Sequence, residues 1–250
     1  MAGGGDEIRT GFDSLDHELA GGGWARPGLT EILCNHTGIG ELSLLMKGLG
    51  SPANVVRPGE AMHLLWVMSH TQAWIPYAPA LSQCGIDLQY LTIVRTRGTD
   101  DALWAAEQGL KSGACRAVLL RLNEARCNPL SLRRLLQAAI AGGSAALLLR
   151  PLEAAASPSP AGTRIALHPE ENGVMRVELL KRRGLPPGKS VPIVARSMVC
   201  LKRKPAFVRD TASASPDTGT SAPRWLGNVL SGNASTPVSI RTRLFDSDRR

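Results

Sequence analysis

The sequence has no run of apolar residues long enough to cross a membrane, which excludes a helical transmembrane protein. Its first residues, Met1-Ala2-Gly3-Gly4-Gly5-Asp6-Glu7, lack a basic stretch followed by an apolar core. No secretory signal is expected, and the expected location is the cytoplasm. The 5 cysteines (Cys34, Cys84, Cys115, Cys127, Cys200) are scattered and form no CxxC or Cys/His ligand spacing. Such a pattern points to buried reduced thiols and away from a disulfide framework or a zinc site. Internal repeats are absent as well.

Acidic residues are nearly missing from one segment. The net charge of +8 over 250 residues is unevenly placed. Residues 1–100 carry 6 basic and 10 acidic side chains, whereas residues 176–209 carry 10 basic side chains against Glu178 alone. The basic ones are Arg176, Lys181, Arg182, Arg183, Lys189, Arg196, Lys202, Arg203, Lys204 and Arg209. A segment of this kind suits nucleic acid or an acidic protein partner. The bland alternative is a solvated sheet edge guarded by charge.

The pattern of apolar residues is that of an α/β chain. His63–Met68 is a continuous apolar run, the mark of a central strand buried on both faces; Tyr90–Val94 reads as the next strand, Ala117–Leu120 as another buried one and Ala145–Leu149 as a further strand. Helices are expected between them. One runs from Asp100-Asp101 through Ala102, Leu103, Ala106 and Leu110 to Gly113, and another from Pro129 to Ala141. An earlier short helix carries Phe12, Leu15 and Leu19 on one face. Five strand–helix alternations in the first 150 residues predict a mostly parallel central sheet with helices on both faces. Short alternating strands at 163–168, 174–181 and 193–202 predict antiparallel C-terminal edge strands, the first two joined by a turn at Glu170-Glu171-Asn172-Gly173. Residues 151–162 read as a loop. The segment 205–250 is rich in Ser, Thr, Ala, Pro and Gly and is expected to be disordered.

The stretch Leu29–Leu45 has the outline of a phosphate-binding loop: an apolar strand, a glycine turn, then an apolar-periodic helix. The chemistry that outline serves is missing. A working loop follows its second glycine with Lys and Ser or Thr, which neutralise phosphate and hold magnesium. Here Gly40 is followed by Glu41 and Leu42, and Asn35 stands five residues before Gly40, with Gly38 between. A unit-charge pair at ~4 Å and an effective dielectric of ~20 is worth about 4 kcal/mol, so exchanging Lys for Glu opposes triphosphate binding by several kcal/mol. Lys47 lies seven residues along the helix from Gly40, roughly 10 Å at ~1.5 Å per residue, too far to stand in. Helix N-terminal amides remain, so weak anion binding is left open.

Several separated stretches agree in order with RecA-like recombination ATPases. They are Thr10-Gly11-Phe12 with Leu15-Asp16 and Gly21-Gly22-Gly23, Leu29–Ile32 with its glycine turn, Ile75–Ala78, Cys84–Leu88, Leu91–Val94 and Ala102–Cys115. Within that superfamily the chain most resembles the ImuA family, proteins of bacterial damage-induced mutagenesis. The likeness is carried by Gly38-Ile39-Gly40-Glu41-Leu42, Pro76–Leu81, Leu103–Ala114 and Leu179-Leu180-Lys181-Arg182-Arg183-Gly184. It covers residues 8–204 and implies a RecA-like core over 1–204.

Against that pattern the other ATPase groups are replaced too. The position matching the catalytic glutamate is His70, and the strand that should end in a magnesium-binding aspartate reads Arg121-Leu122-Asn123. The resemblance thus implies a pseudo-ATPase with no catalytic residue, cofactor or metal. Its implied role is that of an adaptor in SOS-linked translesion synthesis, with ImuB, RecA and an error-prone polymerase subunit as partners. The alternatives are a divergent DNA-dependent ATPase and a cell-division inhibitor resembling SulA.

Lys181, Arg182, Arg183, Lys189, Lys202, Arg203 and Lys204 are the candidates for DNA or partner contact, since the regions of RecA-like DNA loops (Asn123–Asn128 and 151–162) are short and carry little charge. His36 and His70 have no evident nucleophile or metal partner. Glu41 at a helix N-terminus is favoured electrostatically and is read as structural. Trp24, Trp66, Trp74 and Trp104 are read as packing residues. Two apolar islands in the tail, Arg224–Leu230 and Ile240–Phe245, are candidate docking peptides, with chance islands as the alternative reading.

Overall fold

A computed structural model describes residues 7–35, 37–51, 63–69, 76–123, 127–194 and 242–244. Its core is one sheet whose strands are β1 (Gly28–Leu33), β2 (His63–Ser69), β3 (Leu91–Thr96), β4 (Cys115–Arg121), β5 (Ala145–Arg150), β6 (Thr163–Pro169), β7 (Val174–Lys181), β8 (Val191–Val194) and β9 (Thr242–Leu244). They lie in the order β8-β7-β6-β1-β5-β4-β2-β3-β9. From β6 through β9 every pairing is parallel, and β7 and β8 add antiparallel at the β6 edge. This is the mostly parallel α/β sheet with antiparallel edge strands that the sequence predicts, and its order is consistent with a RecA-like core.

Among the described residues, five helices cover the two faces: α1 (Asp13–Glu18), α2 (Glu41–Leu49), α3 (Ala78–Gln83), α4 (Thr99–Lys111) and α5 (Pro129–Ala141). Alternation along the strands divides the core. On one face Ile32, Trp66, Leu119, Leu147 and Ile165 pack with Leu15, Leu44, Leu45 and Leu81 of α1, α2 and α3. On the other, Leu65, Val118, Leu120 and Leu148 pack with Ala102, Ala106 and Leu110 of α4 and with Leu132, Leu135 and Ala139 of α5. Helix α5 starts where Asn128 accepts the Leu130 N–H through its side chain, with Pro129 in the first turn. Asp100 and Asp101 fall in the first turn of α4 and Lys111 in the last, matching the helix dipole at both ends.

The motif before β1 has a physical role. The Asp16 carboxylate, buried on α1, accepts the Thr10 N–H at 2.8 Å. That bond holds the Thr10-Gly11-Phe12 turn against α2, where a Cβ on Gly48 would meet the Arg9 carbonyl at 2.5 Å. Only glycine permits this approach.

Some expectations shift on inspection. The 151–162 loop contains a 3-10 turn at Leu152–Ala156, and β8 begins at Val191 rather than residue 193. Residues 195–202, expected to continue that strand, lie outside the described residues. Asn172 does turn the β6–β7 hairpin, at φ 59°. Trp24 and Trp66 are buried, but Trp104 is 39% exposed because the core-facing stripe of α4 is Ala102, Ala105, Ala106 and Leu110. Leu130 and Ile140 are likewise exposed, since Leu132, Leu135 and Ala138 occupy the inward face of α5. Within the segment expected to be disordered, Thr242–Leu244 forms β9, parallel to β3. The rest of 205–250, including Arg224–Leu230, lies outside the described residues, as does Trp74.

Candidate functional site: a phosphate-loop outline filled by its own carboxylate

Strand β1 is buried along its whole length and delivers the chain to the glycine loop at its C-terminal end. Gly38 and Gly40 sit at φ 85° and 105°, in the region that side chains resist, and Gly40 caps α2. Asn35 faces out of the loop, and its side-chain oxygen accepts the Leu152 N–H at 2.8 Å. Leu42 is half-buried against the core formed with α2. The backbone outline of the motif is therefore retained.

Its contents are inverted. Glu41, 1% exposed, folds its carboxylate back into the loop and accepts the Gly38 N–H at 3.0 Å through Oε2. Arg121, at the C-terminal end of β4, donates Nη2–H to Glu41 Oε1 at 2.9 Å. Two substitutions that the sequence presents as separate losses are thus one ion pair, negative on the helix and positive on the strand. A nucleotide loop has the opposite polarity, with lysine on the helix and aspartate on the strand. The amide that would cradle a phosphate is saturated by a side chain of the same charge sign as phosphate. Beside this pair, burial pushes the Cys34 thiol up to about 11, with Arg121 pulling the other way.

Lys47 is committed elsewhere. Its Nζ stands 3.9 Å from the centroid of the Phe12 ring, a cation–π contact at the last turn of α2. His70, at the position matching the catalytic glutamate, lies outside the described residues, and so does His36. Among the described residues, no group of three or more His, Cys, Asp or Glu side chains could hold a metal ion.

A second charged cluster was not singled out by the sequence reading. Glu31, fully buried on β1, accepts Arg150 Nη1–H of β5 at 2.7 Å and Arg164 Nε–H of β6 at 2.6 Å. Arg164 also donates Nη2–H to the Ala154 carbonyl at 2.7 Å, tying in the 3-10 turn. The available signal was a lone glutamate inside an otherwise apolar strand. The cluster crosslinks three adjacent strands with its side chains almost wholly buried, which holds the sheet under the loop.

The basic candidates separate into different roles. Lys181, Arg183 and Lys189 are exposed. Lys181 donates to the Ser159 carbonyl at 3.1 Å. Arg182 is 13% exposed and is turned inward, donating Nη1–H to the Glu18 carboxylate and carbonyl, each at 3.0 Å. In this arrangement it anchors the segment after β7 to α1. Arg176 pairs with Glu170 at 2.9 Å. Lys202, Arg203 and Lys204 lie outside the described residues. The register places the two clusters apart. Lys181 is level with Arg164, which is level with Glu31, so the chain after Lys181 runs toward the N-terminal ends of the parallel strands, away from the Glu41 loop.

No protein-family model matches the chain, and no curated protein matches it. Among the described residues, no helix is long and apolar enough to cross a membrane.

Proposed function

We propose that the chain is a non-catalytic, RecA-like adaptor of a bacterial SOS-induced translesion synthesis complex, binding ImuB, RecA or both. The observation that carries the pseudo-ATPase half of this reading is the Glu41–Gly38–Arg121 arrangement. A loop whose Gly38 amide and Arg121 guanidinium already bind an internal carboxylate withholds that donor and that counter-charge from a triphosphate. The adaptor half rests on the resemblance and on a fold maintained without that chemistry. The error-prone polymerase subunit follows as a further member of the assembly.

Pull-down of the full chain with ImuB, RecA and the tubulin-like division protein as baits tests the partner assignment. Retention of ImuB or RecA supports it. Selective retention of the division protein replaces it with the SulA-like alternative. A DNA-stimulated ATP turnover that disappears when Glu41 or Asn35 is mutated refutes the non-catalytic reading.

A further inference from the structure

The loop after β7 is shaped with unusual care for a surface connection. Arg182 Nε–H donates to the Pro186 carbonyl at 2.7 Å and Nη2–H to the Pro187 carbonyl at 3.3 Å, while Nη1–H holds Glu18 of α1. The loop closes on itself through Leu185 N–H to Arg182 O, a turn that Gly184 permits at φ 70°, and through Gly188 N–H to Leu179 O. One inward-turned guanidinium therefore ties the exposed stretch 183–187 back on itself and to α1.

What it displays is apolar at the tip and cationic around it. Leu185 is 49% exposed, and Pro186 and Pro187 are exposed beside it. Lys181, Arg183 and Lys189 are exposed in the surrounding positions, and neither Arg183 nor Lys189 has an ion pair among the described residues. Glu18 is engaged by Arg182, and Glu178, three residues before Lys181, by His168.

This chemistry chooses between two kinds of partner. A phosphate backbone is gripped by cations and by N–H donors. The two prolines at the tip have no N–H, and their carbonyls are bonded to Arg182, so the tip offers a nucleic acid only aliphatic surface. A protein interface is the reverse case, with an apolar anchor seated in a pocket, a charged rim, and a preorganised loop that loses little entropy on docking.

We propose that the 181–189 loop is a docking element for a protein partner presenting an apolar pocket rimmed by carboxylates, with Leu185 as the anchor and Lys181, Arg183 and Lys189 as the rim contacts. It rests on the adaptor reading and assigns that reading a face. Arg182 is the positioning residue.

The test places the photo-crosslinking residue benzoylphenylalanine at position 185 of the full chain in cells, with a second variant carrying it at the exposed but uncharged site Leu130. The expected result is a protein crosslink from 185, absent from 130, that maps to apolar residues neighboured by Asp or Glu. With that partner purified, Leu185→Ser and Arg183→Glu/Lys189→Glu should each weaken binding about ten-fold or more, the second also flattening the salt dependence. Arg182→Ala should weaken it similarly, with the melting curve showing that the chain still folds. Crosslinks from 185 to nucleic acid overturn the proposal, as does the absence of any protein crosslink from 185. So does a Leu185→Ser variant that binds every protein partner normally while charge reversal weakens a 40-nucleotide single strand. If ImuB or RecA is retained equally by wild type and Leu185→Ser, the adaptor reading survives and the loop assignment falls. If 185 crosslinks to the acidic pocket of some other protein, the reverse holds.

Discussion

The Glu41 carboxylate on α2 and the Arg121 guanidinium on β4 meet at 2.9 Å, across 80 residues of sequence. Each alone would be a buried charge at the mouth of a glycine loop. Together they neutralise one another, and the Gly38 amide completes the carboxylate's hydrogen bonding. Removing one member of a buried pair leaves the other uncompensated, at about 3–5 kcal/mol. Glu41→Gln and Arg121→Met should each lower stability by that order in urea denaturation, and the swapped double variant Glu41→Arg/Arg121→Glu should recover a substantial part. Additive losses in the double-mutant cycle would show that the pair does not interact.

The Glu31 cluster makes a sharper demand. Glu31→Gln leaves the Arg150 and Arg164 guanidiniums facing each other across a neutral group inside the sheet. A loss of about 3–5 kcal/mol is expected. Replacing all three by apolar residues of similar volume should cost far less than the single change, because no buried charge remains. Equal destabilisation by the single and triple variants would contradict the arrangement.

How much of this could be read from the sequence depends on the range of the interaction. Helix α4 was legible because Asp100-Asp101 and the Ala102–Leu110 stripe are local signals, and the β6–β7 turn was legible because Asn172-Gly173 is one. Glu41 and Arg121 were each recognised as misplaced for an ATPase. Their pairing was not visible, since it requires knowing that β4 lies two strands from β1. Glu31 was hidden for the same reason, its partners being 119 and 133 residues away. The inward turn of Arg182 is likewise set by Glu18, on an element 164 residues earlier. Strand β9 left little trace because three parallel pairings need no particular period.

Glu107 gives a pH signature. Burial pushes its carboxyl up, but the hydrogen bonds and charges of Lys111 and Arg134 outweigh that and hold it below the ordinary 4.5. A folded-state value below the unfolded one contributes stability above the unfolded value and loses it as pH falls through the folded value. Both cations are more than half exposed, so the contribution is screened to about 1 kcal/mol or less. The stability difference between wild type and Glu107→Gln should be constant from neutral pH to about pH 5. It should vanish in acid and shrink in high salt. A difference that grows on acidification would contradict the sign.

The thiols should differ in reactivity. Burial pushes Cys34 and Cys115 up to about 11, whereas Cys127 is only half-buried. Maleimide labelling of the native chain at pH 8, read by peptide mass, should modify Cys127 well before the other two. Fast labelling of Cys34 would mean that the loop opens away from Arg121.

The central claim is that the glycine loop binds its own carboxylate in place of a nucleotide. Calorimetric titration of the full chain with ATP and magnesium tests it most directly. No saturable heat is expected up to millimolar ATP, in the presence or absence of magnesium. Tight, magnesium-dependent binding that is lost when the 35–42 loop is mutated would contradict it.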